Sequence, residues 1–417
     1  MKRKFLWGGL LSMLLLSACG SHATATHHPT PPPSVGYLCI PGHCSAWRLD
    51  TGGPLWRTSL TYGTLPHAVL NGTTLYVASG GIMALRVKDG SVLWRIPLQD
   101  AAQVSEIVVV EGLVYLETST EMYAFGATDG TLRWRYDHQL AIPSLVVGNG
   151  MVYLTANVVV ALDAHDGTKK WETPLAQGFY TTQAAQSLTL VGTTLYVNSQ
   201  SDSFYVFDAA TGQQKWGYQS PGSLSPLVFG ADGTLYVATL VVPVVAQGAT
   251  TPMYTVIAMN PTTGAALWKR PLAIGNRAFP GTPPPVVAGD FLYVLMGPTD
   301  GDVVALARSD GSQRWHLLGT QVGQQLVPSA SGVILILQDG SMVAYATTGA
   351  TVWQQTAAAG AGLIQLLGLQ DGLLYLAGTS GRMTAIKSVD GTTRWQTTSA
   401  VDIAVGQSTF VTEGVSA

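Results

Sequence analysis

The chain of 417 residues has a formal net charge of −3, and only 11% of its residues are charged, against about 25% in typical soluble proteins. Beyond the first four residues there is no cluster of basic side chains, so nucleic acid is excluded as an expected partner. The 47 glycines and the lack of helical periodicity in the apolar residues favour an all-β protein with many turns.

The first 18 residues are typical of a cleaved export signal. Lys2, Arg3 and Lys4 precede an apolar run over residues 5–16, which is shorter than the roughly 20 residues that span a membrane. The run ends in Leu16-Ser17-Ala18-Cys19, which resembles the lipobox of bacterial lipoproteins, in which the cysteine is acylated and becomes the first mature residue. We therefore expect a lipoprotein signal peptide over residues 1–18 and a lipid on Cys19, with an ordinary signal peptide as the alternative.

Residues 19–35 predict a disordered tether. The stretch has four prolines and almost no large apolar side chain, so it cannot bury a core. Its histidines, His22, His27 and His28, are interpreted as polar spacer residues rather than as metal ligands. Removal of the signal leaves 18 basic residues (21 minus three) against 24 acidic ones.

Cys39 and Cys44 remain as a pair once Cys19 is assigned to the lipid. They flank Ile-Pro-Gly-His, which is prone to form a turn, so an oxidising compartment favours a disulfide between them. The alternative is half of a metal site together with His43. No second half-site occurs elsewhere in the sequence, so we prefer the disulfide.

One motif, Gly-x-x-x-Trp, recurs along the rest of the chain, and each of its glycines follows Asp or Thr. Successive tryptophans of the motif are 37 to 52 residues apart. We expect each indole ring to fill the gap between two neighbouring repeats and each indole N–H to find one partner there. These tryptophans are Trp56, Trp94, Trp134, Trp171, Trp216, Trp268, Trp315, Trp353 and Trp395.

Most repeats also contain a Leu-Tyr-Val-like signature, such as residues 75–77, with a degenerate copy over residues 334–336, and a second apolar run lies before the glycine. Runs of β-branched and aromatic residues separated by Asn-Gly or Asp-Gly predict four antiparallel strands per repeat. Four strands in about 40 residues are typical of a β-propeller blade. We therefore expect residues 36–417 to form a single propeller domain.

The sequence Ala-Leu-Asp-Ala-His-Asp-Gly-Thr-Lys-Lys-Trp over residues 161–171 is similar to the PQQ-like repeat of quinoproteins. A near copy lies over residues 206–216, and the resemblance extends from residue 37 to about residue 412. Precedent in this family implies eight blades. The repeats themselves predict nine, because the unit ending at Trp56 lacks a first strand that the tail over residues 403–411 can supply. In either case we expect the two chain ends to pair and so remove an exposed sheet edge.

The resemblance implies a PQQ-dependent dehydrogenase as one functional class. Those enzymes hold the quinone over a Trp, beside a Ca²⁺ ion, with an Asp as base and often a pair of adjacent cysteines. This sequence has no adjacent cysteines, and its nearest approach to a Ca²⁺ site, Asp300-Gly301-Asp302, is interpreted as a hairpin turn. The remaining single histidines are interpreted as surface or turn residues: His67, His138, His165 and His316. We predict no catalytic, cofactor-binding or metal-binding residues.

The second class is a non-catalytic scaffold that binds a protein partner through loops on the propeller face. The chain resembles the outer-membrane assembly lipoproteins of this family (BamB-like). The apolar insertion over residues 240–253 is the predicted contact segment, with a lengthened hairpin as the alternative, and the proline run over residues 279–285 is a second departure from the repeat. We expect anchoring to the outer face of the cytoplasmic membrane, or to the outer membrane in a two-membrane bacterium. A quinoprotein dehydrogenase or a small-ligand sensor remains the alternative.

Overall fold

The computed structural model of the protein describes residues 34–60, 65–98, 104–138, 144–155, 158–175, 187–198, 202–241, 253–273, 282–296, 301–319, 321–357, 364–378, 382–397 and 409–412. Within these stretches every regular element is a β-strand, and the strands form nine antiparallel sheets. Among the same residues no helix is long and apolar enough to span a membrane.

The sheets are the blades of a propeller, numbered here in chain order. The strands of blades 1 to 4 are β1 (Val35–Ile40), β2 (His43–Arg48) and β3 (Pro54–Ser59); β4 (His67–Asn71), β5 (Thr74–Ala78), β6 (Gly81–Arg86) and β7 (Val92–Pro97); β8 (Val104–Val110), β9 (Leu113–Thr118), β10 (Glu121–Gly126) and β11 (Leu132–Asp137); β12 (Ser144–Gly148), β13 (Met151–Thr155), β14 (Val158–Asp163) and β15 (Lys169–Pro174).

The remaining strands complete the ring. Blades 5 to 9 contain β16 (Ser187–Val191), β17 (Thr194–Asn198), β18 (Ser203–Asp208) and β19 (Gln214–Gln219); β20 (Ser223–Leu224), β21 (Val228–Phe229), β22 (Leu235–Val241), β23 (Met253–Met259) and β24 (Ala266–Ala273); β25 (Val286–Ala288), β26 (Phe291–Met296), β27 (Asp302–Ala307) and β28 (Gln313–Leu317); β29 (Gly323–Ser329), β30 (Gly332–Leu337), β31 (Met342–Ala346) and β32 (Thr351–Gln355); β33 (Ile364–Gln370), β34 (Leu373–Gly378), β35 (Met383–Lys387) and β36 (Thr393–Gln396), followed by β37 (Thr409–Thr412).

In blades 2 to 9 the first strand lies innermost, and β4, β8, β12 and β16 contact one another around the axis. The second and third strands are buried on both faces, which is why they are nearly continuous apolar runs. The outer strand instead alternates, with the Trp turned toward the next blade and charged residues toward solvent. Within the described residues nine apolar clusters form, each shared by two neighbouring blades.

Both ends of the chain close the ring in blade 1. The last strand, β37, pairs antiparallel with β1, with Gly36 opposite Thr412 and Cys39 opposite Thr409. The nine-blade prediction from the repeat count and the predicted pairing of the chain ends are confirmed. The alternative of eight blades is wrong, because the C-terminal strand supplies the inner position that the first repeat lacks.

The two faces of the ring differ in how the strands are joined. On the turn face the first strand of a blade turns into the second and the third into the fourth. On the connection face lie the turn from the second strand to the third and the segment that joins each outer strand to the next blade. In the turn between third and fourth strands, Gly90 has φ of 71° and Asp89 accepts the N–H of Ser91 at 3.0 Å, so the repeat needs Asp or Thr before Gly.

Candidate functional site

The contact between blades 4 and 5 shows what the Gly-x-x-x-Trp motif does. The indole N–H of Trp171 donates to the carbonyl of Ala209 in the next blade at 3.1 Å. The ring lies against Gly212 of that blade, where a methyl group would fall 2.5 Å from a ring carbon. The glycine of each motif therefore serves the preceding blade's Trp as well as its own turn.

The same contact recurs at every junction of the described ring, with indole N to carbonyl O distances of 2.7–3.2 Å. Each ring also covers the motif glycine of the next blade, and no tryptophan of the motif is exposed. The pairs are Trp56 with Val87, Trp94 with Ala127, Trp134 with Ala164, Trp171 with Ala209, Trp216 with Pro261, Trp268 with Arg308, Trp315 with Thr347, Trp353 with Ser388 and Trp395 with Leu49.

Cys39 and Cys44 lie directly opposite each other on β1 and β2, and their sulfur atoms are bonded. Both side chains are fully buried in the cluster between blades 1 and 2, and their Cα atoms are 4.1 Å apart. His43 Nδ1 lies 3.0 Å from a guanidinium nitrogen of Arg57. The predicted lipid site, Cys19, lies outside the described residues.

On the connection face, a buried carboxylate fixes the segment that leaves blade 7. Asp302 is 2% exposed, and its carboxylate accepts the N–H of Gly319 at 2.7 Å and lies 3.3 Å from His316 Nε2. Val322 is held from the other side, because its carbonyl accepts the N–H of Gln338 at 2.9 Å. We call residues 316–319 and 321–323 the blade 7–8 lip.

The lip presents apolar side chains to solvent. Leu318 is 75% exposed and Val322 is also exposed. Gly301 packs so closely on the carbonyl of Gln321 that any side chain there would clash. The sequence interpretation of Asp302 as part of a simple turn missed this role, because the groups that it fixes belong to the following connection.

Within the described strands, blade 6 projects further on the same face than the other blades. Whereas β5 ends two residues after its Tyr, β22 continues to Val241, five residues after Tyr236, which adds about 10 Å of paired ribbon. The ribbon is packed, because buried Tyr254 donates its hydroxyl to the carbonyl of Pro283 at 2.5 Å. Met253 at its end is exposed. Of the predicted contact segment, residues 242–252 lie outside the described residues, as do residues 279–281.

Polar groups are buried near the connection face in three consecutive blades. Two residues beyond the signature Tyr stand Glu117, Thr155 and Asn198, where the other blades have Cys39 or apolar side chains. Asn198 donates to the carbonyl of Ser225 at 2.9 Å. Burial, with a smaller contribution from the charge of Glu106, raises the pKa of Glu117 to about 9. A polar residue after Tyr-Leu or Tyr-Val was the only sequence signal for these buried groups.

Two cavities between blades are lined by residues that the structure describes. One of about 330 Å³ is apolar and is bounded by the inner strands β4, β33 and β37. The other, of about 660 Å³, opens between blades 6 and 7, where Arg308 binds the Asp232 carboxylate at 2.6 Å and the Gly289 carbonyl at 2.8 Å. In the described part of the chain, no three His, Cys, Asp or Glu residues are grouped so as to hold a metal ion.

The other histidines lie at separate places in the fold. His67 begins the inner strand β4 and is half-buried, so the prediction of a surface or turn residue does not describe it, and burial lowers its pKa. His138 follows β11, and His165 is exposed in the turn after β14.

A search of curated protein sequences finds no match to this chain. Among solved structures, BamB from Moraxella catarrhalis is 18% identical over 75% of this chain and 88% of its own, with a TM-score of 0.48. Dihydro-heme d1 dehydrogenase NirN in complex with DHE is 13% identical over 77% and 72%, with a TM-score of 0.50. A europium-containing methanol dehydrogenase is 13% identical over 85% and 80%, with a TM-score of 0.47. At these identities the likeness concerns the fold alone.

The repeat resemblance is confirmed by a family model described as outer membrane protein assembly factor BamB. This model matches residues 42–241, 119–299 and 338–414, which together make up most of the chain. The matches run through the blades whose Trp and Gly contacts are described above. The chain therefore belongs to the outer membrane protein assembly factor BamB family.

Proposed function

We propose that this protein is a non-catalytic, extracytoplasmic scaffold that binds a protein partner through its connection face and is held at a membrane by a lipid on Cys19. Membership of a family described as an assembly factor supports the scaffold role. We infer the partner-binding surface from the blade 7–8 lip, in which the side chain of Leu318 is 75% exposed.

Burying an exposed leucine side chain is favourable by about 25 cal/mol for each Å² of apolar surface removed from water. Free loops commonly fold such side chains back, but the hydrogen bond from Gly319 to buried Asp302 fixes this backbone. Val322 and Met253 add exposed apolar surface on the same face. A fixed apolar surface of this kind is favoured as a contact for another protein.

The aromatic residues support a structural rather than a chemical role. Each motif Trp binds a carbonyl of the next blade, and Tyr115 donates to the same Ala164 carbonyl as Trp134, at 2.9 Å. The turn carboxylates accept N–H groups of their own turns, as Asp166 does from Thr168 at 2.9 Å. We assign these groups to assembly of the ring.

The test is partner capture with a matched pair of surface variants in the lipidated protein. Leu318→Asp places a charge on the lip, and Val389→Asp places the same charge at a 65% exposed site on the turn face. We expect cross-linking in native membranes to recover a discrete partner with the wild type and with Val389→Asp, and to lose it with Leu318→Asp. Equal capture by all three proteins contradicts the proposed surface.

Anchoring and the lack of catalysis are tested separately. The intact mass of the membrane-bound protein should correspond to a chain that begins at acylated Cys19, and Cys19→Ser should release the protein from membranes. Dye reduction by the purified protein that depends on added PQQ and Ca²⁺ contradicts the non-catalytic assignment and favours the dehydrogenase.

A further inference from the structure

Two glutamates face each other inside the junction between blades 3 and 4. Glu106 on β8 and Glu117 on β9 are cross-strand partners, so their side chains leave the same face of the sheet. Tyr115, two residues before Glu117, belongs to the cluster shared with blade 4, so that face is the one covered by blade 4. The pair therefore lies in the seam between the two blades.

The two carboxyl groups differ in their partners. Glu106 accepts the backbone N–H of Leu145, on the inner strand of blade 4, at 3.0 Å. Glu117 is fully buried, and neither of its carboxyl oxygens has a hydrogen-bond partner among the residues that the structure describes. Its neighbour on β10 is the apolar Met122. Glu117 is fully buried beside the cross-strand carboxyl group of Glu106, so burial and like charge both disfavour its ionised form.

Of the two carboxyl groups, that of Glu117 is the one that is protonated. Burial raises the pKa of Glu106 as well, but the N–H of Leu145 favours its ionised form, whereas Glu117 finds no donor among the described residues to stabilise a charge. Burial raises the pKa of Glu117 to about 9, and Glu106 is the one charged group that raises it further. The nearby Glu121 faces other partners, since its carboxylate binds Arg135 at 3.4 Å and Tyr123.

The next junction has the same architecture without an acid. On blade 4, Ser144 and Thr155 are cross-strand partners at the positions of Glu106 and Glu117. Ser144 Oγ accepts the N–H of Leu188 on the inner strand of blade 5 at 3.2 Å. Leu145 and Leu188 thus make equivalent bonds in neighbouring seams, and of the described cross-strand pairs in these two seams only Glu106 and Glu117 can titrate.

We propose that the seam between blades 3 and 4 is a proton-controlled opening in the ring, closed while Glu117 carries a proton. When β8 and β12 separate, water reaches Glu117, its O–H bond breaks, and the proton passes to water or hydroxide. No other covalent bond changes. Reclosing requires that one proton be taken up again.

This coupling fixes how opening depends on pH. In the open seam Glu117 is hydrated and ionises in the ordinary glutamate range near 4.5. Between about pH 5 and pH 9 each opening therefore releases one proton, so the open population rises about tenfold for each pH unit. Above that range the closed seam also loses its proton, and the dependence ends.

Hydrogen exchange of single backbone amides in the full mature chain tests the proposal. Protection factors, with the intrinsic pH dependence divided out, are measured for Leu145 and Leu188 from pH 5.5 to 8.5. We expect the protection of Leu145 to fall about tenfold per pH unit while that of Leu188 stays flat. Equal slopes for the two amides overturn the proposal.

The variant Glu117→Gln keeps the shape of the side chain but cannot titrate. We expect it to flatten the pH dependence at Leu145 and to leave Leu188 unchanged, and a persistent slope in this variant contradicts the proposal. The comparison of the two wild-type amides decides the matter even if the variant does not fold. Because Leu318 and its lip take no part in this seam, the result is independent of the proposed partner surface.

Discussion

The indole N–H of Trp395 donates to the backbone carbonyl of Leu49 at 2.7 Å, across 346 residues of sequence. The ring of Trp395 also covers Gly52, the first motif glycine. The last blade thus binds the first through the same contact that joins every other pair. The propeller closes by repeating its ordinary junction, reinforced by the β1–β37 pairing.

Removal of a junction tryptophan should destabilise the ring strongly. Trp134 is 7% exposed, so Trp134→Ala deletes a large apolar contact and an indole hydrogen bond. We expect a loss of about 3–5 kcal/mol in the free energy of unfolding, measured by urea titration. Leu132→Ala, at a 53% exposed position of the same strand, should stay within about 0.5 kcal/mol. A comparable loss from both variants would show that Trp134 has no special role.

Alanine substitutions at two glycines of blade 4 distinguish backbone strain in the turn from packing against a tryptophan ring. Gly150 and Gly167 both have φ of 72°, so alanine at either position costs about 1–2 kcal/mol of conformational strain. A methyl group on Gly150 meets no described residue within 4 Å, whereas on Gly167 it lies 2.7 Å from the ring of Trp134. We expect Gly167→Ala to lower the melting temperature clearly more than Gly150→Ala. Equal effects would show that the motif glycine serves the turn alone.

The disulfide should contribute modestly to stability, because Cys39 and Cys44 enclose a short loop. Closing a loop of this size removes enough unfolded-state entropy to stabilise the protein by about 2 kcal/mol. We expect the double variant Cys39→Ala/Cys44→Ala to fold and to unfold at lower urea concentration. Treatment with a reductant should move the wild type toward the variant and leave the variant itself unchanged.

The buried acid predicts that stability falls with rising pH. The pKa of Glu117 is about 9 in the folded chain and near 4.5 when exposed, so stability from this group is fully present below 4.5. It declines as the pH rises toward 9, by up to about 1.4 kcal/mol per pH unit. Compared with wild type, Glu117→Gln should gain stability between pH 6 and pH 9, measured by urea titration across that range. An identical pH dependence in both proteins contradicts the assignment.

The fold could be predicted from the sequence because each repeat contains the residues that determine its own turns and strands. Asp or Thr before Gly forms the turn, and the Trp four residues after that Gly lies on the outer strand. The number of motifs in the sequence therefore equals the number of blades. Family precedent for eight blades failed, because precedent carries no information about where the unpaired strand β1 finds its partner.

The candidate surfaces were harder to predict, because they depend on contacts between blades. The tripeptide at Asp302 has the local signature of a hairpin turn, and nothing nearby in sequence indicates that Gly319 will bind its carboxylate. Glu117 likewise sits in an ordinary strand pattern. Its burial follows from the packing of blade 4 over that face, which no periodicity within blade 3 specifies.

The closing strand has a consequence for the order in which the protein is made. Because Thr409–Thr412 supply the inner strand of blade 1, β1 keeps an unpaired edge until synthesis has passed β37. A chain that stops before β37 therefore leaves an open arc that exposes this edge, rather than a smaller complete ring. The C-terminal strand of a second copy fits that edge equally well, so truncated or slowly closing chains should exchange strands and assemble with one another.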